Sequence, residues 1–237
     1  MDEASCDGAL ASLDRHAAVV VREAHAIADC HRDAARVLEA RSRWTSDFAG
    51  EQFTLGRAFY THLETGRAGV YFANARRADD EVETVLPGLQ EEMRRLYGRL
   101  VGGTARARLG FCGAGVHVFP AEGKVARAGG VVHWDVEGLP PLALERSSRA
   151  MTLVVMLQPA HWGGGLRIWD ALWDGHDEPD DAALEAPHRT LRYRAGDAML
   201  MSSYRLHQIR PFRGALDRLS VTLHGVEVDR GVWDTWF

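Results

Sequence analysis

The chain has 237 residues, 46% of them hydrophobic and 26% charged, which is enough for one domain with a substantial core. A formal net charge of -5 gives no sign of a broad basic face, although 28 Lys and Arg leave room for local basic patches, so no nucleic-acid partner is expected, and no apolar run reaches membrane-spanning length. Residues 1–12 carry acids and no basic stretch, so no signal peptide is read and a cytoplasmic protein is expected.

The N-terminal third reads as helical. Leu10, Leu13, Ala17, Val20, Ala24, Ile27, Ala34, Val37 and Leu38 recur at three- and four-residue steps, which predicts one long amphipathic helix, or two shorter ones, over 8–41. Gly69 to Asn74 reads as a short strand. A further helix is predicted around Leu89, Met93, Leu96 and Leu100, opened by Pro87 and closed by Gly102-Gly103. From Leu109 the character changes. Val116–Pro120, Val131–Asp135, Met151–Gln158, Gly165–Trp169, Thr190–Arg194, Ala198–Ser202, His207–Arg210 and Arg218–Val226 all read as strands between turn residues. Short strands in series predict a jelly roll or barrel. The expected class is α+β, mainly β: a double-stranded β-helix core over 109–237, with helices of 1–108 packed on one face, as a single domain over 1–237. Asp170 to His188 is acidic and lacks strand character; it is a candidate lid or binding loop, or else a solvated insertion. Cys6, Cys30 and Cys112 have no close pairing, so neither a disulfide framework nor a zinc-finger spacing is expected.

The chemistry concentrates in His133-Trp134-Asp135, His207 and Arg218. Alternate side chains of a strand share a face, so His133 and Asp135 point the same way. With His207 they make two imidazoles and one carboxylate, the ligand set of a non-haem Fe(II) site with open positions. A second His-x-Asp, His31-Arg32-Asp33, falls in the helical region, where residues two apart diverge by about 200° and cannot share an ion. Arg218, Ser220 and Thr222 form a polar row backed by Leu219, Val221 and Leu223, which suits a polar ligand inside a barrel mouth.

This pattern resembles the Fe(II)- and 2-oxoglutarate-dependent dioxygenase superfamily: His133-Trp134-Asp135, a distal His207, then Arg218-Leu219-Ser220. Gly163-Gly164-Gly165-Leu166, Arg194-Ala195-Gly196-Asp197-Ala198 and His207-Gln208-Ile209-Arg210-Pro211 resemble the family's turns and distal-histidine stretch, so the likeness covers about residues 109–226. It implies Fe(II) held by His133, Asp135 and His207, 2-oxoglutarate chelating the metal, and O2 as the second cosubstrate. Arg218 would clamp the distal carboxylate with help from Ser220. The implied reaction yields succinate and CO2 and hydroxylates an unactivated C–H bond of a small molecule, such as an amino acid or natural-product intermediate. Desaturation, epoxidation, cyclisation and demethylation use the same site. Asp135 stands where halogenating members carry a small residue, so halogenation is not expected.

Candidate substrate contacts are His117 and Phe119 on one strand face, and Trp169 and Trp173 as an apolar wall; Tyr60, His62 and Tyr71 are further candidates from the N-terminal region. His161, His176, His188 and His224 receive no role. A competing reading is a non-catalytic, cupin-like protein that binds only metal or a sugar-like ligand; Arg218 with Ser220 counts against it, because plain metal binding needs no carboxylate clamp.

Overall fold

A computed structural model describes residues 9–13 and 15–237. In chain order the elements are α1 (Ala9–Leu13), β1 (Ala18–Val21), α2 (Ile27–Glu39), β2 (Thr45–Asp47), β3 (Gln52–Leu55), α3 (Phe59–Glu64), α4 (Ala68–Val85), α5 (Leu89–Val101), β4 (Thr104–Ala107), β5 (Gly115–Phe119), α6 (Lys124–Ala128), α7 (Pro141–Glu145), β6 (Ala150–Gln158), β7 (Trp162–Gly163), β8 (Leu166–Leu172), α8 (Asp181–Glu185), β9 (His188–Leu191), β10 (Ala198–Ser202), β11 (Arg205–Ile209), β12 (Phe212–Arg213), β13 (Arg218–Asp229) and β14 (Val232–Trp236).

The major sheet runs β1-β10-β6-β13-β5-β3-β2, with β14 also pairing β13 and β4. The minor sheet runs β11-β8-β9, and β12 pairs β7. Period-2 alternation assigns the two faces of the major sheet. Val19, Val21, Val116, Val118, Leu153, Val155, Leu157, Leu200, Leu219, Val221 and Leu223 share one core with Cys30, Ala34 and Val37 of α2 and Met93, Leu96 and Leu100 of α5. Their alternates Ala18, Val20, Met199 and Met201 pack instead on Leu166, Ile168 and Leu191 of the minor sheet. The space between the sheets is where Arg218, Ser220, Thr222 and His224 of β13 are turned, all of them buried.

Three expectations are corrected. The predicted helix over 8–41 is broken by β1: Ala18–Val21 is a short run with three β-branched valines, and it pairs antiparallel with Ala198–Met201 while burying every side chain. Gly69–Asn74 lies inside α4, where Tyr71, Ala75, Ala78 and Val82 recur at helical steps and bury one face. Val131–Asp135 is not a continuous strand: His133 makes a single antiparallel bridge to His207, and the next backbone bond runs from Asp135 N–H to the Ser203 carbonyl. Strands β2, β3, β4 and β14 carry no strong alternation and were not predicted. Cys6 lies outside the described residues, while Cys30 and Cys112 are buried free thiols.

Candidate metal and cosubstrate site

The His133–His207 bridge brings the first and last members of the cluster together. Their backbones exchange hydrogen bonds of 3.0 and 3.1 Å, and the rings sit 4.3 Å apart. Trp134 points the other way, into an apolar cluster with Trp169 and Leu206, and so anchors the short segment that carries His133 and Asp135. His133 Nε2 lies 3.5 Å from Asp135 Oδ1, and His207 Nε2 lies 3.5 Å from Asp135 Oδ2. Candidate ligand atoms of all three residues lie within 4.8 Å of one another, a spacing one ion can span with bonds of about 2 Å.

Backbone acceptors set both imidazoles for metal. His133 Nδ1–H donates to the Val131 carbonyl and His207 Nδ1–H to the Arg205 carbonyl, each at 2.9 Å. The Nε2 atoms are thereby the ones turned to a shared ion. Asp135 Oδ2 accepts from Thr152 Oγ1 at 2.7 Å, which orients the carboxylate. Burial would raise the Asp135 carboxyl, but the charge of His207 and the hydrogen bond to His133 hold it well below the usual carboxylate range. Burial opposes a charge on His133, yet the Asp135 contact prevails and lifts this ring to about 9. Burial pushes His207 down to about 4, against the pull of Asp135.

Arg218 is 2% exposed. Its Nε donates to the Gly164 carbonyl at 3.1 Å and its Nη1 to Ser220 Oγ at 3.2 Å. The guanidinium lies 5.4 Å from the Phe119 ring centre and 5.7 Å from that of Tyr193. Among the described residues no carboxylate comes within 4 Å of it. A buried guanidinium facing only neutral acceptors and π-faces is costly without an anion. Across the strands Arg218 pairs with Phe119, and Ser220 with His117. Among the described residues His117 Nδ1 is buried without a hydrogen-bond partner, and burial pushes its ring down to about 3, so it is neutral. The donor set and these unmatched polar groups fit a metal ion with a chelating dicarboxylate.

A cavity of about 10 Å³ opens on Asp135 and is lined by Phe59, Tyr60, Glu137, His224, Trp236 and Phe237. Burial first, then the charge of Asp135, push Glu137 up to about 7. A larger cleft of about 510 Å³ includes Gly164, Tyr193, Arg192 and Arg210, and touches none of His133, Asp135 and His207; the smaller cavity is the one that reaches the candidate metal cluster, at Asp135.

The remaining candidates are placed as follows. Trp169 is packed with Trp134 and its Nε1–H donates to the Leu184 carbonyl at 3.0 Å, so it fastens the 170–188 segment; neither it nor Trp173 lines the cavity. That segment holds α8, capped by Asp180. His62 is hydrogen-bonded to Ala58, and Tyr71 Oη meets the Cys112 amide; both are buried away from the cavity. Thr152, Glu137, Trp236 and His224 were missed. His224 had a legible signal, since it shares the even-numbered face of β13 with Arg218, Ser220 and Thr222.

No protein-family model matches the sequence, and no curated protein matches it. Solved structures do. The non-heme alpha-ketoglutarate-dependent epimerase SnoN from nogalamycin biosynthesis superposes with a TM-score of 0.60 at 18% identity, over 94% of this chain and 83% of that one. The chain has the fold of 2-oxoglutarate-dependent non-haem iron oxygenases. A second protein of this fold, the N-substituted L-amino acid dioxygenase of Burkholderia ambifaria AMMD, gives a TM-score of 0.57 at 18% identity, over 97% of this chain and 90% of that one. SnoN has also been crystallised with Fe3+ and alpha-ketoglutarate, and in that form matches with a TM-score of 0.62 at 17% identity, over 93% of this chain and 83% of that one.

Proposed function

We propose that this chain is an Fe(II)- and 2-oxoglutarate-dependent oxygenase acting on a small molecule, with hydroxylation of an unactivated C–H bond as the outcome and succinate and CO2 as coproducts. The observation that carries the reading is Arg218: a buried guanidinium without an acidic partner, in the same inter-sheet space as a His-Asp-His cluster. A protein that held only metal would have no use for it.

When bound, Fe(II) with 2-oxoglutarate and O2 supplies the oxidising chemistry. The chain's own residues bind and orient. His133, Asp135 and His207 would hold the metal, with tautomers set by the Val131 and Arg205 carbonyls. Arg218 would take the distal carboxylate of 2-oxoglutarate in a charge-assisted pair, with its plane set by Phe119, Tyr193, Ser220 and Gly164. His117, neutral and unpartnered at Nδ1, would offer that nitrogen to the cosubstrate or its water.

Anaerobic titration of the iron-loaded protein with 2-oxoglutarate tests this. A weak visible charge-transfer band near roughly 500 nm is expected of the chelate. Arg218→Ala should lose the band at cosubstrate concentrations that saturate the wild type, while iron still binds. A wild-type protein that binds iron but never shows the band would end the oxygenase reading.

A further inference from the structure

The outer face of the minor sheet gathers positive charge at one end. Leu166, Ile168 and Leu191 turn inward to the core, so alternation puts Gly165 and Arg167, at the start of β8, on the other face, with Thr190 and Arg192 beside them. Arg167 pairs with Thr190 on one side and with Gln208 on the other. One residue further along the same register, Gly165 lies between Arg192 and Arg210, and the Arg210 amide donates to the Gly165 carbonyl at 2.8 Å. A side chain at Gly165 is barred, since an added Cβ would sit 2.3 Å from the Leu191 carbonyl oxygen. The two arginines therefore flank a bare notch, with their Cα atoms two strand spacings apart, about 9–10 Å.

Arg192, Arg210 and Thr190 line the cleft of about 510 Å³. No Asp or Glu lines it, and among the described residues neither arginine side chain has a hydrogen bond or an ion pair. Arg167 is next on the same face. Its Nε is buried without a partner among the described residues, and burial, then the charge of Arg210, hold its guanidinium below the usual range. Like charges on neighbouring strands are destabilising, yet a chain of formal net charge -5 brings three together here. A carboxylate would offset one of them. A phosphoryl group carries nearly two charges and three acceptor oxygens, enough to face two guanidinium forks at once. The rest of the wall is apolar and aromatic, with Ala160, Pro211, Tyr193 and a Trp162 that is 63% exposed. The volume is that of a small-molecule site and exceeds what a bare phosphate fills.

We propose that this cleft binds a small organic phosphate, with its phosphoryl group held between Arg192 and Arg210, the Thr190 hydroxyl donating to it, and its apolar body against Trp162 and Tyr193. The cleft touches none of His133, Asp135 and His207, so the ligand sits apart from the candidate metal cluster. Gly164 lies between the two sites: it lines the cleft, and its carbonyl accepts from Arg218 Nε. The proposal stands without the oxygenase reading.

The test is calorimetric titration of the full chain with phenyl phosphate, benzoate and inorganic phosphate. Phenyl phosphate should bind about tenfold more tightly than benzoate, the size of one further charge-assisted contact, and about fivefold more tightly than inorganic phosphate, the share of the ring. Arg192→Gln and Arg210→Gln should each weaken phenyl phosphate about tenfold and shrink its preference over benzoate to below about threefold. Neither side chain bonds to a described part of the fold, so both variants should keep the wild-type Tm. Arg218→Ala, checked as folded by its far-UV spectrum, should bind phenyl phosphate within about twofold of the wild type. Benzoate or inorganic phosphate binding as tightly as phenyl phosphate would overturn the ligand class. Phenyl phosphate binding that survives both glutamine substitutions, or that is lost in folded Arg218→Ala, would overturn the location, and the second result would put the anion on the buried arginine. The absence of measurable phenyl phosphate binding would overturn the proposal outright.

Discussion

Thr152 Oγ1 meets Asp135, Ser203 Oγ and His224 Nδ1 at 2.7, 3.1 and 3.1 Å, so one hydroxyl orients the one carboxylate of the candidate His-Asp-His cluster and fixes a neighbouring tautomer. Thr152→Val keeps the shape and removes these bonds. Iron affinity, read by chelator competition, should fall about 10- to 100-fold, as for other groups that orient a ligand, while the far-UV spectrum is retained. An unchanged affinity would show that Asp135 is oriented by its backbone alone. The clustering of His133, Asp135 and His207 and the burial of Arg218 were legible in the sequence because such residue types are expensive to place in a core. Thr152 was not, because Met151 to Gln158 reads as an ordinary core strand and a threonine there looks like β-propensity. His117 and Phe119 were rightly placed on one inward face, but Phe119 supports the arginine.

At the scale of elements, the turn from Arg194 to Ala198 feeds β10 into the major sheet between β1 and β6. Asp197 is fully buried and accepts from the Arg194 amide and from Arg22 Nη1, while Gly196 has φ +84° and an added Cβ would sit 2.3 Å from the His25 carbonyl oxygen. Both the left-handed backbone and the close approach require glycine. Gly196→Ala should cost about 2–4 kcal/mol in urea unfolding, with iron affinity preserved in the protein that remains folded; a loss below about 0.5 kcal/mol would mean the turn relaxes freely. This glycine was visible from sequence, as was most of the strand series, because the strands are short apolar runs bounded by turn residues. The N-terminal third was misread where β1 interrupts it: in a strand buried on both faces the alternation disappears, and Ala18–Val21 then fits a helical period as well as a strand. Asp47, at the end of β2, is buried with Oδ1 unpaired, and burial raises its carboxyl from 3.8 to about 6 despite a hydrogen bond from Thr54. Its folded pKa exceeds its unfolded one, so its contribution to stability declines as pH rises from about 4 to about 6. Asp47→Asn should flatten that part of the stability–pH curve and stabilise the protein at pH 7 by about 1–3 kcal/mol; a curve unchanged from wild type would place the burial cost elsewhere.

At the scale of the molecule, the site spans the two sheets. His207 belongs to the minor sheet, Arg218 to the major sheet, and the segment with His133 is joined to the fold by its bridge to His207 and by single backbone bonds from Gly130 to Ile209 and from Asp135 to Ser203. A metal ion on His133, Asp135 and His207 would therefore fasten a segment that has little strand pairing of its own. A dicarboxylate running from that metal to Arg218 would link one sheet to the other, in a region where the pairing partners β5 and β6 already hold β13 in register. Ligands that bind the folded chain alone would each raise stability by mass action, about 2.7 kcal/mol at 100 times the dissociation constant. For a domain of this size that corresponds to about 5–10 °C in Tm. Scanning calorimetry under anaerobic conditions should show two separate increments in the wild type, one with Fe(II) and a further one with 2-oxoglutarate. Arg218→Ala should keep the first and lose the second, and Asp135→Ala should lose both, because the cosubstrate then has an arginine but no metal to chelate. If 2-oxoglutarate raised the Tm of Arg218→Ala as much as that of the wild type, the clamp between the sheets would be somewhere other than β13.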